Sequence, residues 1–315
     1  MRQLFIDDTR RNEVASVARG IVCSTNYKHE LTILLVGETG VGKTSVLTWF
    51  FNTLQGLSPD KYNLEVRNAR NEAGGSAKHS QTNEAQIYTL RSVNGFTVTI
   101  LDTPGLADTR GIAQDEMHKK SIGDAIKNGI PAIDAVLILA NGTVPRLTVS
   151  TNYALTTLAS IFPRKIADNI GILITNVPSE LNCNFEAESL PDSLAKAPLF
   201  MLDNPVSLEG RFRKNQRHPR MQANAHRAVQ AGHDKALHVF VDLLDWLDQR
   251  ALQPTKDIVS LYEQVSQIEQ NISEALAILK QAQSKQSELA HCMTLIQQAR
   301  LVRPLIYLSF TTLTT

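Results

Sequence analysis

The sequence predicts an α/β fold: a mainly parallel β-sheet covered by helices on both faces, three layers in all, followed by a C-terminal coiled-coil helix. Three observations carry that reading. Apolar, β-branched runs alternate with helical patterns, the order that places parallel strands between two helix layers. A glycine-rich loop, "GETGVGKTS" at 37–45, joins the first run to a helix. After Pro254 the apolar residues fall into alternating three- and four-residue steps.

The elements follow in order. Residues 1–27 lack the continuous apolar core of a signal peptide and read as a short helical segment ahead of the main domain, expected over 28–252. Buried strands are predicted at "LTILLV" (31–36), "FTVTIL" (96–101), "AVLILA" (135–140) and "NIGILIT" (169–175), with a fifth at "APLFML" (197–202). "AQIYTL" (85–90) pairs with 96–101 as a hairpin, because Asn94-Gly95 signals a tight turn. Helices are expected at 43–55, 113–128, 148–161 and 225–250. The polar stretch 56–83 reads as a long loop, either functional or disordered. From 255 to 303 no Gly or Pro occurs, and only Gln286 breaks the apolar seam of the coiled coil. The tail 304–315 starts at Pro304 and has three readings: a packed end, a membrane-touching segment or the stump of a longer chain.

Composition narrows the function classes. A formal charge of +1 supplies no basic excess to drive counterion release, so a generalised nucleic-acid binder is not expected. Cys23, Cys183 and Cys292 are odd in number and lack metal spacing, as expected of reduced thiols in a cytoplasmic protein. No run of 18 apolar residues supports a membrane span.

The loop at 37–45 has the spacing Gly-x-x-x-x-Gly-Lys-Thr, that of a phosphate-binding P-loop. Its residues are Gly37, Glu38, Thr39, Gly40, Val41, Gly42, Lys43, Thr44 and Ser45. The glycines let backbone amides approach phosphate oxygens at a helix N-terminus, where the dipole favours anions. Lys43 would reach the β- and γ-phosphates, and the Thr44 hydroxyl would hold Mg²⁺. "ILDTPG" (100–105) then ends another strand. Asp102 suits the Walker-B-type carboxylate of the magnesium shell, and the Gly105 amide can meet the γ-phosphate. Asp-x-x-Gly after a P-loop is a GTPase arrangement rather than a kinase one. A switch also needs a threonine before the hairpin strand. Thr82, 20 residues ahead of Asp102, is the first candidate for magnesium and γ-phosphate, and Ser80 is the second.

"GETGVGKTS", "DTPGLADT" and the apolar strands resemble the septin-like branch of P-loop GTPases, closest to the avirulence-induced-gene type, also called immunity-associated nucleotide-binding GTPases. The resemblance covers roughly residues 28–250. It implies a G domain that binds GTP and GDP with Mg²⁺, dimerises across the nucleotide face and hydrolyses slowly. Helical or coiled-coil extensions are common in that family, in line with 255–303.

Two positions depart from GTPase patterns. Guanine is normally read by Asn-Lys-x-Asp after the strand at 169–175, whereas this chain has "ITNVPSE". Asn176 matches the Asn, Val177 replaces Lys, and Ser179 stands where Asp is expected, with Glu180 one residue on. Asn204 of "LDNP" occupies the place of a family Asn near the base. Guanine is the expected base, and relaxed or adenine specificity stays open. Leu106 stands where small Ras-like GTPases place the water-orienting Gln. Arg110, Gln114 and His118 lie nearby, read as solvated groups, and no catalytic residue is assigned among them. His226, His233 and His238 lack the spacing of a zinc pair and read as surface or capping groups.

The expected function is therefore GTP binding with slow hydrolysis, helped by homodimerisation through the nucleotide face or the coiled coil. A nucleotide-controlled assembly module with negligible turnover is the second reading. A P-loop ATPase or kinase is the third.

Overall fold

The computed structural model describes residues 28–64, 84–93, 95–105, 112–145, 164–214 and 219–311. The segments predicted as helices at 1–27 and 148–161 lie outside the described residues, as do Ser80, Thr82, Leu106 and Arg110.

The main sheet has six strands in the order β2-β3-β1-β5-β6-β7. They are β1 (Glu30–Gly37), β2 (Gln86–Arg91), β3 (Thr97–Asp102), β5 (Ala135–Asn141), β6 (Ile170–Thr175) and β7 (Leu199–Leu202). All neighbours run parallel except β2, which pairs antiparallel with β3 as the hairpin predicts. Gly95 in that turn has φ +86°, a conformation glycine adopts at no steric cost. A separate two-stranded ladder joins β4 (Ala132–Ile133) to β8 (Gln253–Pro254). Strand β7 starts two residues later than its apolar run. Pro198 has no N–H to donate, but its carbonyl still accepts from Ile172.

Alternation along each strand divides the core between the two faces. Ile33 and Leu35 of β1, Val98 and Ile100 of β3, and Leu137 and Leu139 of β5 line one face. Leu34, Val36, Leu101, Val136 and Ile138 line the other. Over the first face lie α1 (Lys43–Leu54) and α4 (Pro219–Asp248), with α3 (Pro205–Lys214) beside them. Trp49 and Phe50 of α1 meet Phe240 of α4 edge-to-face, with centroids 5.2–5.4 Å apart. Each such pair adds roughly 0.5–1.5 kcal/mol beyond burial. This anchor fixes α1, and with it the phosphate loop at its N-terminus. Helix α2 (Ile112–Gly129) buries Ile122 and Ile126 on the opposite face.

Helix α4 begins six residues before the predicted start, at Pro219. A first turn tolerates proline because its N–H would be unbonded there anyway. His233 on α4 is buried rather than superficial, and its Nδ1 lies 2.5 Å from the Tyr62 hydroxyl. That bond ties the segment entering the long polar loop to α4.

The chain divides into two compact units, Met1–Tyr262 and Glu263–Thr315. Helix α5 (Thr255–Thr311) spans the predicted coiled coil and continues past Pro304, where a break was expected. Its seam residues Ile268, Ile272, Leu279, Leu289, Met293 and Ile296 are exposed. Among the described residues, no helix is long and apolar enough to cross a membrane.

Candidate functional site

Strand register assembles the phosphate side. Leu35 of β1 pairs with Asp102 of β3, so the Asp102 carboxylate arrives beside the loop that leaves β1 at Gly37. Gly40 (φ +79°) and Gly42 (φ +104°) take left-handed conformations that side chains resist, and Gly42 caps α1. Lys43 opens the helix and folds back over the loop. Its Nζ donates to the carbonyls of Gly37 (3.0 Å) and Glu38 (2.9 Å). Burial lowers its pKa to about 8, with Asp102 and Glu38 opposing that shift. A buried ammonium poised over the loop is strongly attracted by an incoming phosphate anion.

Thr44 Oγ1 donates to Asp102 Oδ2 at 2.8 Å. Two of the three residues singled out for magnesium thus meet where α1 starts and β3 ends, and the third, Thr82, lies outside the described residues. A hydroxyl and a carboxylate are hard oxygen donors, the chemistry Mg²⁺ prefers, with phosphate and water left to complete an octahedron. Thr103 Oγ1 donates to the Leu35 carbonyl (2.7 Å), pinning the strand end. Gly105 then rests against Thr39 of the phosphate loop. His118, read from sequence as a solvated helix residue, is instead fully buried on α2, with Nδ1 2.9 Å from the Gly105 carbonyl. A carbonyl only accepts, so Nδ1 carries the proton, and the ring positions the glycine rather than facing solvent.

The base side is built differently. Thr175, at the end of β6, donates through Oγ1 to the Val41 carbonyl at 2.9 Å, joining this strand end to the phosphate loop. Asn176 has φ +61°, and its Nδ2 donates to Asn141 Oδ1 at 3.2 Å. Val177 is buried among Ile174, Leu194 and other apolar residues, which is why a valine fits where a lysine is usual. Ser179 donates to Asn182 Oδ1 at 2.5 Å, a local bond within its own loop. Asn204 is 8% exposed, and both ends of its amide are engaged. Nδ2 donates to the Ser45 carbonyl (2.8 Å), and Oδ1 accepts from the Val206 amide (3.0 Å). It anchors α3 to α1.

Beside Asn204 stands a carboxylate that sequence reasoning passed over. Asp203 follows β7, and the Val177 amide donates to the Leu202 carbonyl at 3.3 Å, so its loop lies alongside residues 177–179. Partial burial raises the Asp203 pKa, and the charges of Arg211 and Lys235 oppose that. Lys235 Nζ also donates to the Pro178 carbonyl, 2.9 Å away. The signal was present in "LDNP", but it becomes legible only once β6 and β7 are known neighbours.

Residues 31–197 match the AIG1 family. The chain belongs to the AIG1 family. Within that family's span lie the phosphate loop, Asp102 and the base-side loop after β6. The sequence is 29% identical over 178 residues to immune-associated nucleotide-binding protein 13 of Arabidopsis thaliana, covering 56% of this chain and 45% of that one. It is 33% identical over 99 residues to GTP-binding protein A of Dictyostelium discoideum, covering 31% of this chain and 16% of that one. The matched stretch therefore spans less than half of either relative's length. Among solved structures, Toc33 from Arabidopsis thaliana in complex with GDP and Mg²⁺ aligns over 78% of this chain and 95% of its own. Identity there is 17% and the TM-score 0.43, a likeness too loose to carry function.

Proposed function

We propose that this AIG1-family chain is a guanine-nucleotide switch that binds GTP and GDP with Mg²⁺ and hydrolyses GTP slowly. The observation that carries the reading is the 2.8 Å bond from Thr44 to Asp102. It joins the phosphate loop to the strand-end acid at the place a triphosphate–metal pair would occupy. Thr44 would hold Mg²⁺ directly and Asp102 through water, and the ion would neutralise charge on the β- and γ-oxygens. Lys43 would leave its two carbonyl partners for phosphate oxygens, while the amides of 40–44 close around the phosphate chain. Thr82 is proposed as the switch threonine, with Ser80 behind it.

Guanine selection is assigned to Asp203. An ionised carboxylate accepts from the N1–H and exocyclic amine of guanine, a pair of donors that adenine does not present. Asn176 would support the base from the adjoining loop. Ser179 and Asn204 spend their side chains on local structure.

Leu106 has no group to orient water, so turnover would depend on a partner, and pairing of two chains across the nucleotide face would supply one. The exposed seam of α5 offers a second surface for homodimerisation. The same Leu106 favours a second reading, in which nucleotide state controls assembly and turnover is incidental.

Calorimetry of the full chain with GDP, GTP analogue and ADP tests the base and phosphate reading. Micromolar or tighter guanine-nucleotide binding is expected, with a loss of about 100-fold for Lys43→Ala as charge-assisted phosphate bonds disappear. Affinity untouched by Lys43→Ala would overturn it. Phosphate release that rises per subunit with protein concentration would favour the dimer-dependent enzyme over the assembly module.

A further inference from the structure

We propose that the Thr39 side-chain hydroxyl reads the γ-phosphate and so sets the preference for triphosphate over diphosphate. This rests on the nucleotide reading above and narrows it to one atom. Thr39 Oγ1 is buried and has no hydrogen-bond partner among the described residues. A hydroxyl withheld from water and from every acceptor among the described residues destabilises the fold, so its presence here needs a reason.

Its cover is Gly105. A Cβ added at Gly105 would fall on Thr39 Oγ1, 2.5 Å from the threonine Cα and 2.6 Å from its nitrogen. Only glycine can rest so closely on the phosphate loop. From the other side, His118 Nδ1 holds the Gly105 carbonyl at 2.9 Å, so the glycine is placed by two contacts at once. The hydroxyl is thus enclosed between the phosphate loop and Gly105, the residue proposed to sense the last phosphate.

Within 37–42 the other side chains offer no neutral donor. Gly37, Gly40, Gly42 and Val41 have none, and Glu38 is an anion that phosphate repels. Thr39 is therefore the one side chain in that stretch able to donate to an entering phosphate oxygen. A γ-phosphoryl group that displaces Gly105 from Thr39 brings the anionic acceptor that the hydroxyl lacks, and a diphosphate ends before reaching it. The threonine is unsatisfied in one arrangement and satisfied in the other, which biases the equilibrium toward triphosphate.

The test compares the full chain with Thr39→Ala and Thr39→Ser. Calorimetry would give the affinities for GDP and for a non-hydrolysable GTP analogue, with Mg²⁺ present. The expected result for Thr39→Ala is a five- to thirtyfold fall in the analogue-to-GDP affinity ratio. Thr39→Ser should keep the parent ratio. Thermal unfolding without nucleotide adds a readout of opposite sign: Thr39→Ala should melt no lower than the parent, since it removes an unsatisfied group. An unchanged ratio in Thr39→Ala overturns the proposal, as does a lower melting temperature accompanied by equal losses for both nucleotides, the pattern of a structural residue. If the parent chain binds GDP but Thr39→Ala leaves the ratio alone, only this inference fails. Failure of the parent chain to bind either nucleotide removes the nucleotide reading and this inference with it.

Discussion

The two halves of the candidate site are built by different means. On the proposed phosphate side, recognition would be carried by backbone amides, two left-handed glycines and three side chains: Lys43 and Thr44 at the start of α1, and Asp102 at the end of β3. On the proposed base side it would fall to side chains on loops, and several of these are occupied elsewhere. Asn204 ties α3 to α1, Ser179 bonds within its own loop, and Val177 belongs to the core. Backbone recognition needs a fixed spacing, so it leaves a motif in the sequence. A single acceptor for the base can be supplied from any loop that reaches it, so it can move without leaving one.

The largest effect that would sharpen this contrast is expected at Asp203. Asp203→Asn replaces an ionised acceptor with an amide, and hydrogen bonds to charged groups contribute roughly 1.5–3 kcal/mol, so guanine affinity should fall about 10- to 100-fold. Xanthine presents a carbonyl where guanine has its amine, and the new amide can donate to it. Affinity for xanthosine diphosphate should therefore rise in the same variant. Calorimetry with the two diphosphates reads both changes. If GDP binds Asp203→Asn as well as the parent, the base is read elsewhere and the contrast between the halves loses its basis.

A smaller effect probes the phosphate side through pH. Burial lowers the Lys43 pKa from its ordinary 10.5 to about 8 in the folded chain. Below pH 8 both folded and unfolded chains hold the proton, and the folded chain carries the cost of a buried charge. Between pH 8 and 10.5 the unfolded chain binds more protons than the folded one, so stability rises with pH across that window. Tyr62, whose pKa burial raises, acts in the opposite sense above about pH 10, its ordinary value. The clean interval is therefore pH 8–10. Denaturant titrations without nucleotide should show a positive slope there that Lys43→Met abolishes. With a bound triphosphate the lysine is held protonated and the slope should flatten. Identical pH profiles for parent and Lys43→Met would show that the lysine is not desolvated over the loop.

The same division explains what the sequence revealed. Apolar runs at 31–36, 96–101, 135–140 and 169–175 are strands because they are buried on both faces, and such runs stand out from any helical period. The hairpin was legible because Gly95 sits in a turn that demands positive φ. The Thr44–Asp102 meeting follows from two motifs on strand ends. What could not be read depended on neighbours distant in sequence. His118 looked like a polar helix residue until α2 was packed, when its ring proved to hold the Gly105 carbonyl. Asp203 was one polar letter beside Asn204 until β7 lay against β6. His233 reads as superficial until Tyr62 arrives from 171 residues away. Pro304 was expected to end α5, yet the helix runs on to Thr311.

The smallest expected effect is at Ser179, where the ordinary guanine motif would have an aspartate. From sequence alone, Ser179→Asp should restore that motif and tighten GDP relative to ADP. The geometry argues otherwise. The Ser179 hydroxyl is turned toward Asn182 Oδ1, and an aspartate in that rotamer would set a carboxylate against a carbonyl-type oxygen. If it instead swung toward the base it would approach the loop of Asp203, and two anions serving one pair of donors repel each other. The GDP-to-ADP ratio of Ser179→Asp should stay within about threefold of the parent, the range a weak or frustrated contact allows. In an Asp203→Asn background the repulsion is gone, and the same substitution should recover part of the lost guanine affinity. A large gain from Ser179→Asp alone would return the base-reading role to the loop after β6 and leave Asp203 as a surface partner of Arg211.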